Sequence, residues 1–249
     1  MGAERFIRYA PEMEVRQMSD DFEFIKGNLE DIRARIRAAE IRSGRKPGEV
    51  SIIAVTKTVD PERIRKAVDC SITELGENRV QELTEKYDII DRDCRWHLIG
   101  HLQTNKVKYI ADKVGMIHSL DRLELAAEIQ KRAEKAGRVI DALVQVNVAG
   151  EETKSGISPD QALDFVRALS GYGNIKVRGL MTIAPMAENP EDVRGVFAGL
   201  RKLLIDIKEE NIDNINMDFL SMGMSNDFEV AIEEGSNMVR IGTAIFGRR

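Results

Sequence analysis

The sequence predicts a single (β/α)8 barrel, in which eight parallel strands close into a ring inside a sleeve of helices. Three observations carry that expectation. The stretch Ser51-Ile52-Ile53-Ala54-Val55 is small or apolar throughout before it reaches Thr56-Lys57, as expected of a strand covered on both faces. Strand-like and amphipathic stretches then alternate through eight units, with no linker long enough to mark a domain boundary. The length, 249 residues, is a common size for one such barrel. An open doubly wound sheet is the runner-up, but no Gly-x-Gly-x-x-Gly follows the first strand.

Residues 1–20 are aperiodic and read as an N-terminal extension, leaving 21–249 as the barrel domain. From Asp21 the apolar residues Phe24, Ile25, Leu29, Ile32, Ile36 and Ile41 recur at helical spacing up to Ser43, and Gly44 stops the helix. The barrel's usual last helix is not expected after strand eight. This first helix is therefore expected to cover the gap between the last strand and the first, so that removing it unfolds the barrel.

After the first strand, Asp60-Pro61 starts a short helix, Asp60 as cap and Pro61 in its first turn. Strand two is expected over Ile72–Leu75, and a helix over Arg79–Ile90. Strand three is Trp96–Ile99, followed by a brief helix over Lys106–Asp112, and strand four is Met116–Leu120. Asp121 is expected to cap the next helix, which Gly137 ends. Strand five, Ala142–Val148, opens into a polar loop that holds Lys154-Ser155-Gly156. Ser158-Pro159 starts a helix, strand six is Ile175–Ile183, and the sixth helix lies within Pro190–Asn211. Strand seven is Met217–Gly223. A helix over about Ser225–Glu234, stopped by Gly235, leads to strand eight, Met238–Ile241.

Composition narrows the function. A net charge of −5 gives no support to nucleic acid as a main partner. No apolar run reaches the length of a membrane span, and the N-terminus lacks a signal-peptide core. The two cysteines, Cys70 and Cys94, fit reduced thiols of a cytoplasmic protein and match no metal spacing.

Such barrels keep their chemistry on the loops after the strands. Those positions hold Lys57, Asn78, Gly100–Asn105, the Lys154 loop, Met181–Pro185, Ser221–Ser225 and Arg240–Thr243. The loops after strands seven and eight are the recurrent phosphate site. There Gly223, Ser225, Gly242 and Thr243 offer hydroxyls, small side chains and backbone N–H groups, and Ser225 or Asn226 is expected to cap the following helix. A phosphate cup facing an amine able to form an imine is what pyridoxal 5′-phosphate needs. Lys57 is the expected Schiff-base lysine.

Seven stretches, in order along nearly the whole chain, carry a family resemblance. They are Ala54–Lys57, Gly76–Glu82, Trp96–Lys106, Lys154–Gly156, Arg178–Met181, Ser221–Ser225 and Val239–Gly247. By these the sequence resembles the pyridoxal phosphate homeostasis proteins (the YggS/PROSC family), which share a fold type III barrel with the N-terminal domain of alanine racemase. The resemblance implies that Lys57 carries the cofactor and that Asn78 lies beside its ring. It implies Ser221, Ser225, Gly242 and Thr243 around the phosphate, and Arg240 at the pyridine nitrogen. A guanidinium there keeps that nitrogen unprotonated and makes the ring a poorer electron sink.

Blander roles stand beside these. Arg240 alone reads equally well as the partner of a carboxylate inside the barrel, Ser225 as a helix cap, and Asn78 as a turn residue. His97, His101 and His118 read as interior or loop imidazoles, since their spacing suits no metal site. Two functions remain: a protein that holds pyridoxal phosphate without turnover, and a small amino-acid racemase. A racemase needs a second acid/base group opposite the lysine, which alanine racemase takes from a tyrosine on a C-terminal β-domain. That domain is expected to be absent here. Tyr9, Tyr87, Tyr109 and Tyr172 lie off the strand-exit loops. The expectation is thus a cytoplasmic, monomeric holder of the cofactor without catalytic residues, whose recipients are the apo-enzymes that use it.

Overall fold

The computed structural model describes residues 22–151 and 154–247. The expected extension, 1–20, lies outside the described residues. Eight strands run β1 (Ser51–Val55), β2 (Glu74–Glu77), β3 (Arg95–Leu98), β4 (Met116–Leu120), β5 (Ile140–Gln145), β6 (Ile175–Met181), β7 (Ile215–Ser221) and β8 (Met238–Ile241). Each pairs in parallel with its neighbours in sequence order, and β8 returns to β1, so the sheet closes as the sequence predicts. The closing seam runs in register from Ser51↔Met238 to Ala54↔Ile241.

The helices follow the expected order. They are α1 (Glu23–Arg42), α2 (Pro61–Asp69), α3 (Val80–Ile89), α4 (Leu123–Lys135), α5 (Ala162–Leu169), α6 (Arg194–Glu209), α7 (Phe228–Glu233) and α8 (Thr243–Phe246). Alternation along the strands divides the interior. Ile53, Val55, Met116, Leu143, Met181 and Met238 form an inner apolar cluster, while Ala54, Leu75, Leu98 and Ile241 belong to the larger core shared with the helices.

Helix α1 covers the seam from outside, as expected. It packs on α2, α7 and α8, with Ile25, Leu29, Ile32, Ile36 and Ala39 buried. Its four large aliphatic side chains contribute roughly 6–12 kcal/mol of gross burial. That is comparable with the net stability of a whole domain. Phe24 and Ile41, read as part of the apolar face, are exposed instead, at 42% and 63%. Two polar anchors fix the helix. Asn28 donates to Ile245 O at 3.0 Å, and the fully buried Glu40 carboxylate accepts from the N–H groups of Gly48 and Val50, each at 3.0 Å.

Several boundaries differ from expectation, each for a local reason. The chain leaves α2 with Ser71 at φ 66°, its N–H bonded to Val68 O, and the N–H of Ile72 bonded to Ala67 O. Ile72 is thus the apolar residue that seals a helix C-terminus, and strand pairing begins only at Glu74. β5 ends at Gln145 because the next backbone turns to pair with the polar loop, Asn147 N–H bonding Ile157 O at 2.8 Å. The brief helix after β3 is a 3-10 turn, Thr104–Tyr109. Asp60 does cap α2, accepting from Arg63 N–H at 3.0 Å. Asp121 does not cap α4; its carboxylate pairs with Arg122 at 2.6 Å.

Replacing Glu40 with alanine removes a fully buried carboxylate and leaves the part-buried N–H groups of Gly48 and Val50 without their partner. Glu40→Ala is expected to cost about 2–4 kcal/mol in urea unfolding at unchanged m value. A loss below about 0.5 kcal/mol would mean that water satisfies those N–H groups equally well.

Candidate functional site

Parallel pairing puts every strand's carboxyl end on one rim. A cavity of about 600 Å³ opens there between the ends of β1, β6, β7 and β8. Lys57, Ser225, Arg240, Gly242 and Thr243, all named from the sequence, line it. Its described lining holds three cations, Lys57, Lys154 and Arg240, against one carboxylate, Asp227. Lys154 is partly spoken for by Glu151 at 2.9 Å, and Asp227 accepts from Met224 N–H at 2.6 Å. What remains is an electropositive pocket with hydroxyls. It suits an anion.

Lys57 leaves β1 exposed, and the backbone around it is clamped. Thr58, next in the chain, sits at φ 57°, a left-handed conformation unfavourable for a β-branched residue. Its N–H donates to Glu82 at 2.7 Å, which holds it there. Lys86 donates to Thr56 O at 2.7 Å, to Glu77 Oε1 at 2.7 Å and to Glu82 at 3.1 Å. The Thr56 hydroxyl donates to the same Glu77 oxygen at 2.6 Å. Burial pushes the Glu77 carboxyl up, against the pull of Lys86 and Thr56. Two strand ends and α3 thus grip the residues on both sides of Lys57. The sequence reading missed this clamp, although Glu77 and Glu82 lie within one of its motifs.

Arg240 points inward and is 4% exposed. Its guanidinium donates to Ser221 O and Ser221 Oγ, both at 2.7 Å, and to Thr182 O at 2.8 Å. Among the described residues no carboxylate forms an ion pair with it, so the reading of Arg240 as a carboxylate partner does not hold. Burial lowers its pKa to about 10, with Asp227 opposing.

The other expected residues fall differently. Asn78 is half-buried in the turn after β2 and does not line the cavity. Its backbone is pressed by Gly100: a Cβ there would come within 2.4 Å of Asn78 O. Ser221 is fully buried beneath the cavity, with its hydroxyl against Arg240 and 3.0 Å from His118 Nδ1. Neither Ser225 nor Asn226 caps α7, which begins at Phe228; the Asp227 carboxylate closes the Met224–Asp227 turn instead.

His97 and His118 are interior imidazoles, fully buried and bonded to each other at 2.8 Å. His101 is an exposed loop residue 3.8 Å from Asp121. Burial lowers the pKa of His97, against the pull of Glu74. Burial, then the His97 and Arg240 charges, holds His118 well below its ordinary range. In both rings burial thus favours the neutral form.

Comparison with known proteins gives these features a context. The alanine racemase N-terminal domain family matches residues 27–249. A pyridoxal phosphate homeostasis protein of Aquifex aeolicus is 51% identical over 222 residues, 89% of this chain and 96% of the relative. One from Pseudomonas aeruginosa is 39% identical over 227 residues, 90% and 96% of the two chains. Among solved structures, PipY of Synechococcus elongatus with pyridoxal phosphate bound superposes with a TM-score of 0.78 at 30% identity, covering 90% of this chain and all of that one.

The buried histidines give a pH dependence. The unfolded chain protonates them near pH 6.5 and the native chain only at lower pH. The stability their neutrality contributes is therefore complete above about pH 6.5 and is lost as pH falls through it, by up to about 1.4 kcal/mol per histidine per pH unit. Urea unfolding at about pH 7.5 and 5.5 checks this. Equal stabilities would show that the rings take up protons without cost.

A closed eight-stranded barrel, a lysine and an arginine on one cationic mouth, and relatives matched over nine-tenths of the sequence lead to one conclusion: the chain belongs to the pyridoxal phosphate homeostasis proteins, within the alanine racemase N-terminal domain family.

Proposed function

We propose that the chain binds pyridoxal 5′-phosphate in the cavity at the carboxyl ends of its strands and holds it in exchangeable form, without substantial turnover of a substrate. The observation that carries the reading is the cavity lining: an amine, a buried guanidinium and two hydroxyls, with cations outnumbering carboxylates. The donor set fits the cofactor. Lys57 supplies the amine, Ser225, Gly242 and Thr243 receive the phosphate, and Arg240 faces the ring nitrogen; Asn78 lies off the cavity lining and is assigned no contact. Pyridoxal phosphate brings an aldehyde that condenses with amines and a ring that withdraws electrons. Ser221 serves at one remove, by holding Arg240.

The same lining argues for holding over catalysis. A guanidinium cannot protonate the ring nitrogen as a carboxylic partner does, and this limits carbanion chemistry. No tyrosine lines the cavity among the described residues, so the tyrosine that alanine racemase uses as second base has no counterpart there. Lys57 is exposed, which favours exchange with solvent and with recipient apo-enzymes. A cytoplasmic location and a monomeric state complete the reading. Two free cysteines support it, and no described helix is long and apolar enough to cross a membrane. Residues 21–249 act as the cofactor domain.

Purified protein is expected to be yellow, and borohydride should fix the cofactor on Lys57, as read by mass spectrometry. Lys57→Ala should fold and bind the cofactor only loosely. Steady exchange of an amino acid's α-hydrogen by the wild type, lost in Lys57→Ala, would establish the racemase instead. Ser225→Ala combined with Thr243→Ala is expected to weaken retention about 100- to 10,000-fold, as for two hydrogen bonds to a charged group. Unchanged retention would remove both residues from the site.

A further inference from the structure

Five polar side chains from five strands meet inside the barrel, where such folds ordinarily stack branched aliphatic residues. They form a line: Arg240 (β8), Ser221 (β7), His118 (β4), His97 (β3) and Glu74 (β2). Arg240 Nη1 lies 2.7 Å from Ser221 Oγ, which lies 3.0 Å from His118 Nδ1; His118 Nε2 lies 2.8 Å from His97 Nδ1, and His97 Nε2 bonds the Glu74 carboxylate. The Ser221, His118 and His97 side chains are fully buried. Glu74 is partly exposed and lines a separate cavity beside Ser51 and Thr73, where β1 and β2 begin. The line therefore crosses the barrel from the cofactor mouth to its opposite end.

Hydrogen-bond chemistry gives it a direction. An ionised carboxylate only accepts, so a neutral His97 donates from Nε2 to Glu74 and accepts at Nδ1; at the other end a guanidinium only donates, so Ser221 Oγ accepts from Arg240 and its own proton goes to His118 Nδ1. His118 Nδ1 is then an acceptor, which puts the ring proton on Nε2 and directs it at His97 Nδ1. His97 in turn carries its proton on Nε2 and donates to Glu74. An ionised carboxylate, the strongest acceptor available, ends the chain. Every donor has one acceptor, and both imidazoles are neutral. The arrangement answers a difficulty of the site, since burial disfavours the Arg240 charge and, among the described residues, no carboxylate forms a direct ion pair with it. Three polarisable groups in series connect it to a carboxylate at the far end.

We propose that Ser221, His118, His97 and Glu74 are positioning residues, a one-way hydrogen-bond chain that fixes the orientation and charge of Arg240 at the ring-nitrogen side of the cofactor pocket. The role rests on the functional reading above only in taking Arg240 to face the cofactor. Burial lowers the pKa of both histidines, which favours neutral rings; the Glu74 carboxyl lies below its ordinary value because, against its burial, the bond and charge of His97 and the charge of Arg95 pull it down, which favours an ionised terminus.

Two measurements test it. In the ligand-free wild type, nitrogen NMR of the imidazoles should show His97 and His118 neutral at neutral pH, each with its proton on Nε2. In Ser221→Ala the His118 Nδ1 resonance should move, because its donor is gone. A proton on Nδ1 of either ring, or no response to Ser221→Ala, overturns the chain. With pyridoxal phosphate added, Ser221→Ala and His118→Phe should shift the absorption band of the bound cofactor and weaken its retention about two- to tenfold. His118→Gln, which keeps one acceptor and one donor, should restore most of both. Should His118→Phe fail to fold, Ser221→Ala carries the comparison. An unchanged band and retention in the folded variants would overturn the positioning role. A wild type that takes up no cofactor would sink the functional reading, and the ring-nitrogen spectra would still decide the chain.

Discussion

The site depends on the seam between β8 and β1. Four paired positions, from Ser51↔Met238 to Ala54↔Ile241, bring the end of the first strand beside the end of the last. Lys57 lies just past one and Arg240 just before the end of the other, so register at the seam decides whether amine and guanidinium share a mouth. A shift of one residue would turn Arg240 out of the interior and put Ile241 in its place. This is the joint that chain connectivity does not secure, because no βα unit spans it.

Helix α1 is the fold's answer to that weakness. It lies across the seam and buries four large aliphatic residues against the elements flanking it, while Glu40 ties the following turn to its last part. Arg35 and Arg42 reach Glu229 and Glu233 on α7, and Arg194 reaches Glu233 and Glu234. These ion pairs are mostly solvent-facing and individually worth little. Apolar contact and the buried carboxylate carry the weight.

The interior divides by chemistry. Its apolar cluster includes Ile53, Met116, Leu143 and Met238, whereas the line from Glu74 to Arg240 is polar and, but for Glu74, buried. Buried polar groups weaken a core unless each has its partner, and here nearly all do. The left-handed Thr58, next to Lys57, and the Arg240 end of this line both lie at the rim where the cavity opens.

Apolar periodicity and turn chemistry, both local, determined that this chain would be a barrel of eight units with a lysine at the mouth; Asp60, Gly44 and Gly235 end or begin helices where their own backbone preferences place them. Caps failed where a side chain found a stronger partner than the helix end: Asp121 went to Arg122, and the Asp227 carboxylate took the turn assigned to Ser225 or Asn226. The Glu77–Lys86–Glu82 clamp, the facing histidines and the turn of Ser221 toward Arg240 had no local signal. Alternation along a strand says which face a residue takes but not which residue of a distant strand it meets. Closure and register alone bring together groups as far apart as His118 and Ser221, and the hydrogen bonds between them exist only once the ring is shut.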